Sequence, residues 1–359
     1  MHLTHLVLRN FRNYAQAHLT FSPTVNLILG DNGQGKTNLL EAIYLLSTGR
    51  SFRTRSLSDL IRAGEHFFYI EARFQKEGVT QSIKVYYDET TRKVQYNNTI
   101  HPHLTALLGI LPGVLLSPED HSLISGSPAE RRRFLDLHIA QMDPLYVHHL
   151  ARYFRALKQR NQLLRTKSDS TLSAWEETMA HSGSYLVMSR KAAISALENP
   201  LKTWIDLLSD GKDTLAVRYP SAHAETQEEI FTHLLGHWRK TRPKEMHLGS
   251  TLSGPHRDDL EITLSGKLAK HFSSEGQKRS VTASLKIAEW QRFKESTGAT
   301  PLIGIDDFGI QLDPKRLTQF QEQMKTLNQV FLTSPQPLSM NLFDSAAQII
   351  RIENGAVLV

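Results

Sequence analysis

Residues 30–37 read GDNGQGKT, which fits the spacing G-x-x-x-x-G-K-[ST]. An apolar run, TVNLILG (Thr24–Gly30), leads into it and reads as a buried strand. The segment behind it, KTNLLEAIYLLS (Lys36–Ser47), has helical spacing. A strand passing into a helix through a glycine-rich turn confines the chain to an α/β architecture. Glycines let backbone N–H groups converge on phosphate oxygens, and the helix start adds partial positive charge. Gly30, Asp31, Asn32, Gly33, Gln34, Gly35 and Asn38 are therefore expected around a bound nucleotide. Lys36 is placed for its β- and γ-phosphates, and Thr37 for Mg2+.

The rest of the chain bounds that reading. At 359 residues it suits one large domain with an insertion, or two domains. Charged residues make up 22% and the hydrophobic set 40%, the balance of a soluble globular protein. The absence of cysteine excludes disulfides and thiolate zinc sites and fits a reducing compartment. The start, MHLTHLVLRNFRNY, lacks the pattern of a secretory leader. The most apolar stretch, LTALLGILPGVLL (Leu104–Leu116), falls short of the roughly 20 residues a bilayer span needs. A cytoplasmic location is expected. The net charge of +6 is modest, but basic residues cluster at 50–55, 131–133, 158–167 and 239–244. Singly each is a solvated face; four on one chain point to a polyanion such as nucleic acid. Arg53, Arg55, Lys158 and Arg160 are the first candidates for DNA contact.

Strand patterns run through LTHLVLRN (Leu3–Asn10), FFYIEARF (Phe67–Phe74) and QSIKVYYD (Gln81–Asp88), with a turn at YNNT (Tyr96–Thr99). From about Ser127 to Leu208 the pattern is mostly helical, with breaks expected at Asp143-Pro144 and Asn199-Pro200. Strand signals return at Asp258–Phe272, where Ser265-Gly266 would turn a hairpin. Further strands are expected at PLIGIDD (Pro301–Asp307), at QVFLTS (Gln329–Ser334) and near Ala347–Ile352, with a helix from Pro314. The expected layout is an ATPase lobe at 1–120, a helical lobe at 121–249 and the remainder of the ATPase lobe at 250–359.

A phosphate loop needs carboxylates at the end of a neighbouring strand. LIGIDD supplies Asp306 to hold Mg2+ and Asp307 to polarise an attacking water. Gly304 weakens that strand unless close packing requires it. Ser274, Gly276 and Gln277 form S-x-G-Q at a second helix start, suited to a γ-phosphate. The phosphate loop already wraps the α- and β-phosphates, so this second start is expected to meet nucleotide held by a partner copy. Asp313, six residues past Asp307, would lie near the same interface.

This order of motifs resembles the ABC-type ATPases. LVLRNFRNY and GQGKTNLLEAIYLLS are similar to the SMC/Rad50/RecF branch, and three further strings narrow the likeness to the RecF family. These are SPEDHSLISGSPAERRRFLD (Ser117–Asp136), RALKQRNQLL (Arg155–Leu164) and SGPHRDDLEI (Ser253–Ile262). The resemblance covers essentially the whole chain. It implies an ABC-type P-loop ATPase head with mixed sheets and an inserted helical lobe in place of a long coiled coil. It implies an ATP-dependent, DNA-binding homodimer at gaps and single/double-strand junctions. There it would assist RecO and RecR in loading RecA, in DNA repair and the SOS response, with weak DNA-stimulated ATP hydrolysis. Carried over by position, Lys36, Thr37 and Asp306 bind nucleotide and Mg2+, Ser274 senses the γ-phosphate in trans and Asp307 supports hydrolysis. Arg12 and Asn13 lie near the nucleotide, and Glu119 couples Mg2+ to the helical lobe.

Three positions depart from the family pattern. Glu275 puts a carboxylate in the signature, DDFGIQLD replaces the usual ending, and LTSPQP lacks a switch histidine, for which Thr333 or Ser334 would substitute. Rival readings are a non-hydrolysing ATP-gated scaffold, an ABC transporter ATPase subunit and a Rad50-type nuclease partner. The transporter reading requires a full L-S-G-G-Q and the switch histidine, and the Rad50 reading a long coiled coil. In GPHRDDLEI the spacing of His256, Asp258 and Asp259 is irregular for zinc, and a hairpin entry with an Arg257–Asp pair is expected. Arg131–Arg133 either pair with Glu130 and Asp136 or serve DNA contact or domain coupling.

Overall fold

The computed structural model describes residues 1–220, 225–307, 327–335 and 347–358. The chain forms two compact units: Met1–His121 with Pro200–Thr214 and Ser273–Val359, and Ser122–Asn199 with Leu215–Phe272. Residues 250–272 belong to the helical unit, and Pro200–Thr214 to the unit that carries the phosphate loop.

In the first unit, alternation of buried and exposed residues shapes β1 (His2–Phe11) and β2 (Tyr14–Thr20). β3 (Val25–Leu29) is apolar along most of its length and passes through the phosphate loop into α1 (Lys36–Thr48). A meander follows: β4 (Phe67–Lys76), β5 (Val79–Asp88), β6 (Arg92–Tyr96) and β7 (Thr99–His101). These strands make a six-stranded antiparallel sheet in the order β2-β1-β4-β5-β6-β7. Its inner face, with Leu6, Leu8, Phe68, Ile70, Phe74 and Val85, shares one core with Leu39, Leu45 and Leu46 of α1. Each such side chain contributes about 1.5–3 kcal/mol of burial.

β8 (Gly113–Leu116) closes this stretch. The second unit then carries α2 (Ser122–Ser125), α3 (Pro128–Ala140), α4 (Pro144–Arg165) and most of α5 (Leu172–Ser209). Asp143 caps α4 by accepting from the Leu145 N–H, so the first expected break is real. The second is absent, because α5 runs through Pro200. An internal proline costs about 3 kcal/mol, and buried Leu197, Leu201 and Trp204 around it offset that cost. β9 (Leu215–Arg218), α6 (Gln227–Leu248), β10 (Glu261–Leu264), β11 (Lys267–Leu268) and α7 (Ala269–Phe272) complete the unit. β10 pairs with both β11 and β9, which is why residues 250–272 join the helical unit. Ser265 and Gly266, at φ 48° and 77°, make the tight turn between β10 and β11.

α8 (Glu275–Thr297) returns to the first unit, followed by β12 (Leu302–Ile305), β13 (Val330–Ser334), β14 (Gln348–Glu353) and β15 (Ala356–Leu358). The second six-stranded sheet has the order β15-β14-β3-β13-β12-β8, parallel except for β15. Both faces are covered, as its continuous apolar strands require. Leu27, Ile303, Ile305 and Leu332 meet Ala283, Ile287 and Trp290 of α8 in one core. A Cβ at Gly304 would sit 2.9 Å from the Leu115 side chain and 3.5 Å from Leu40, so close packing accounts for this glycine. The expected helix from Pro314 lies outside the described residues.

Candidate nucleotide site

The phosphate loop is built as its sequence demands. Gly33 and Gly35 adopt φ of 81° and 120°, which side chains disfavour. A Cβ on Gly35 would also come within 2.8 Å of the Asn13 amide. Lys36 is buried, and its ammonium donates to the carbonyls of Gly30 (2.7 Å) and Asp31 (2.9 Å). Thr37 donates its hydroxyl to Asp306, 2.9 Å from Oδ2 and 3.1 Å from Oδ1.

Asp306 follows β12, which is two strands from β3, with β13 between them. The acidic strand is thus next but one to the loop strand rather than its immediate neighbour. That order inserts Thr333, on β13, between the two motifs. Its hydroxyl donates to Asp306 Oδ1 at 2.6 Å and accepts from the Asp307 N–H at 2.8 Å. Asp307 sits at φ 52°, an uncommon conformation for a residue with a side chain. Burial pushes the Asp306 carboxyl above the usual carboxylate range; hydrogen bonds from Thr333 and Thr37 oppose the shift, and the Asp307 and Glu119 carboxylates add to it. Among the described residues no three acidic or histidine side chains form a self-contained metal cluster. The oxygen donors present, one hydroxyl and one carboxylate with further carboxylates close by, suit Mg2+ completed by phosphate oxygens.

Of Arg12 and Asn13, expected near the nucleotide, Asn13 bonds the loop and Arg12 the helix that follows it. Arg12 makes a two-pronged pair with fully buried Glu41 at 2.8 and 2.7 Å. Asn13 donates to the Gln34 carbonyl and accepts from Asn38, each at 2.8 Å. Tyr14 donates to the Gly35 carbonyl at 2.9 Å. The turn between β14 and β15 grips the same loop: the Gly355 N–H reaches the Gln34 carbonyl at 2.9 Å, and the Asn354 N–H its side-chain oxygen at 2.5 Å. Sequence reading missed Tyr14, Glu41 and this turn. The Asn354-Gly355 dipeptide between strand patterns was the available signal.

Ser274 caps α8 in a reciprocal box with Gln277. Its oxygen accepts from the Gln277 N–H at 3.2 Å, and Gln277 also donates to Asp213 at 3.0 Å. Gly276 lies in the first turn of that helix. Glu275 is largely exposed and pairs with Lys278 at 2.9 Å. The turn carrying Glu119 is tied to α8 through Asp120, which faces buried Lys286 at 3.6 Å. Asp313 lies outside the described residues.

The DNA candidates divide. Arg53, Arg55 and Lys158 are exposed. Arg53 leans on Asn38 at 2.9 Å, beside the phosphate loop. Arg160 is a correction: it is fully buried, bonded to Glu176 (2.9 Å), Glu245 (2.7 Å) and Thr251 (2.7 Å), and cannot reach a phosphate backbone. Its periodicity placed it on the inner face of α4, and two facing carboxylates hold it there. Arg131 pairs with Asp259 at 2.6 and 2.8 Å, and Arg132 bonds the Asp258 carbonyl at 2.5 Å. Asp259 is thus the partner of Arg131, and Asp136 pairs with Arg190 at 2.8 Å.

Fold and site together define a P-loop ATPase head of the ABC and SMC type. The SMC head bound to the C-winged helix domain of ScpA shares the fold, with a TM-score of 0.58 at 16% identity. Residues 2–357 match the RecF/RecN/SMC N-terminal domain. The DNA replication and repair protein RecF of Protochlamydia amoebophila is 45% identical over 98% of this chain and 99% of its own length. That of Chlamydia caviae is 41% identical over 93% and 92%. The solved structure of the recombination mediator protein RecF with ATP, of the RecFOR pathway, has a TM-score of 0.90 at 30% identity, covering 99% of this chain and 96% of that one. The chain belongs to the RecF family of DNA replication and repair proteins.

Proposed function

We propose that this chain is an ATP-gated DNA-binding recombination mediator whose nucleotide is enclosed between two copies. The carrying observation is the convergence of Lys36, Thr37, Asp306 and Thr333, which supplies a phosphate cradle with a place for a divalent cation. Lys36 exchanges loop carbonyls for the β- and γ-phosphates when ATP enters. Thr37 and Asp306 would hold Mg2+, with Glu119 as a further carboxylate of the site, and the cation would supply charge to offset that of the phosphates. Thr333 fixes the Asp306 carboxylate and the Asp307 backbone. Asp307 takes the proton of the water that attacks the γ-phosphorus as the bond to ADP breaks. Ser274, whose oxygen already accepts from Gln277, keeps a hydroxyl proton to donate to the partner's γ-phosphate, beside the Gly276 backbone.

On this reading ATP joins two heads over duplex DNA at gaps and single/double-strand junctions, and slow hydrolysis releases it. The complex then assists RecO and RecR in loading RecA, in repair and the SOS response. Arg53, Arg55 and Lys158 are its candidate phosphate contacts. Glu275, exposed in the signature, favours slow turnover and keeps the non-hydrolysing scaffold as the second reading; single-turnover hydrolysis with and without DNA separates the two. The function itself is tested by binding to gapped and blunt duplex at two salt concentrations. ATP-dependent preference for the gap, weakening steeply with salt, is expected. Equal binding with and without ATP would overturn it.

A further inference from the structure

We infer that the outer face of the six-stranded antiparallel sheet is a stacking platform for single-stranded nucleic acid, separate from the nucleotide site. The register places Arg9, Tyr69, Tyr86 and Lys93 in one row across β1, β4, β5 and β6. The next row on this face pairs Glu71 on β4 with Lys84 on β5, the row beyond it carries Arg73, and Phe67 stacks on Tyr86 with centroids 5.6 Å apart. The aromatic rings line an open depression of about 540 Å³ together with His5, Arg9 and Arg73. That volume is of ligand-pocket size.

The chemistry of the face is specific. Arg9, Arg73, Lys84 and Lys93 outnumber Glu71 and Asp88 on it. Both carboxylates are also engaged by phenols: Tyr69 donates to Glu71 and Tyr86 to Asp88, each at 2.8 Å. Glu71 further meets Arg73 at 3.4 Å. The guanidinium of Arg9 lies 6.0 Å from the Tyr69 ring centre. A sheet with adjacent aromatic side chains flanked by cations is the arrangement that stacks bases and tracks a phosphate backbone without reading sequence. A duplex, whose bases are already stacked and paired, gains nothing from the rings. The inner face of the same strands is the core, so the residues of this row are not explained by packing.

The test uses the full chain without ATP, where the nucleotide-gated reading predicts no clamp, and a fluorescent oligodeoxythymidine. Wild type binds, with affinity falling as salt rises. An Arg9→Glu/Lys93→Glu variant loses roughly tenfold and Tyr86→Leu several-fold, while an abasic strand binds wild type several-fold more weakly. Binding of an ATP analogue is unchanged in each variant, which controls for folding. Lys36→Met keeps single-strand binding while losing ATP-dependent duplex binding, so the two readings fail separately. Wild-type affinity in both platform variants, or displacement of the oligonucleotide by polyglutamate as effectively as by unlabelled strand, overturns the inference.

Discussion

At Asp306 burial makes ionisation costly, so the folded state holds the proton more tightly than the unfolded chain does. Between the two pKa values the native state binds more protons, and stability falls as pH rises through that window. Above it the carboxylate is a net liability to the nucleotide-free fold. Asp306→Asn is therefore expected to raise the thermal midpoint of the nucleotide-free protein by a few degrees at neutral pH. It should also lower ATP turnover by at least about a hundredfold. Calorimetry and steady-state hydrolysis on one preparation check both; a lower midpoint would contradict the assignment. Thr333→Val removes one donor to Asp306 and the acceptor of the Asp307 N–H. A stability loss of about 1–3 kcal/mol is expected, with turnover falling more than analogue affinity, read from denaturation and binding curves. The phosphate loop, the paired aspartates and a hydroxyl in LTSPQP were legible in the sequence because each is a local pattern. The order of the strands was not, and only that order explains why Thr333 touches both aspartates.

Among the elements, the helical unit turns on buried polar contacts that no local pattern announces. Arg160 on α4 and Arg242 on α6 share Glu176 of α5, and Arg160 also holds Glu245 of α6. Arg160→Met leaves buried Glu245 without its cation and Glu176 with Arg242 alone, and a loss of about 3–5 kcal/mol is expected in chemical denaturation. Lys158→Met, on the exposed side of the same helix, should leave stability unchanged. In sequence the two basic residues look alike; only the facing helices distinguish them. His256 offers a pH readout of the same unit. Burial lowers its pKa from 6.5 to about 4, with its ring 2.7 Å from the Tyr153 hydroxyl. The unfolded chain binds the proton first, so stability drops as pH falls from about 6.5 to about 4. His256→Gln should flatten that slope in midpoint-versus-pH curves. α5 makes the converse point. Proline reads locally as a stop, yet the apolar residues around Pro200 keep the helix continuous.

For the whole molecule, the chain order phosphate loop, S-x-G-Q, Asp-Asp states the class, and the intervening helical unit accounts for the distance between motifs. The boundaries at 200–214 and 250–272 were not legible, because they follow from pairing of β9 with β10 and from a helix that does not stop. The central claim is that each copy supplies a phosphate loop to one nucleotide and a capped Ser274 helix to another. Sedimentation of the full chain with a non-hydrolysable ATP analogue tests it most directly. Wild type should pass from monomer to dimer on adding the analogue. Ser274→Arg should bind the analogue with wild-type affinity and remain monomeric. A Ser274→Arg protein that dimerises as readily as wild type would contradict the account.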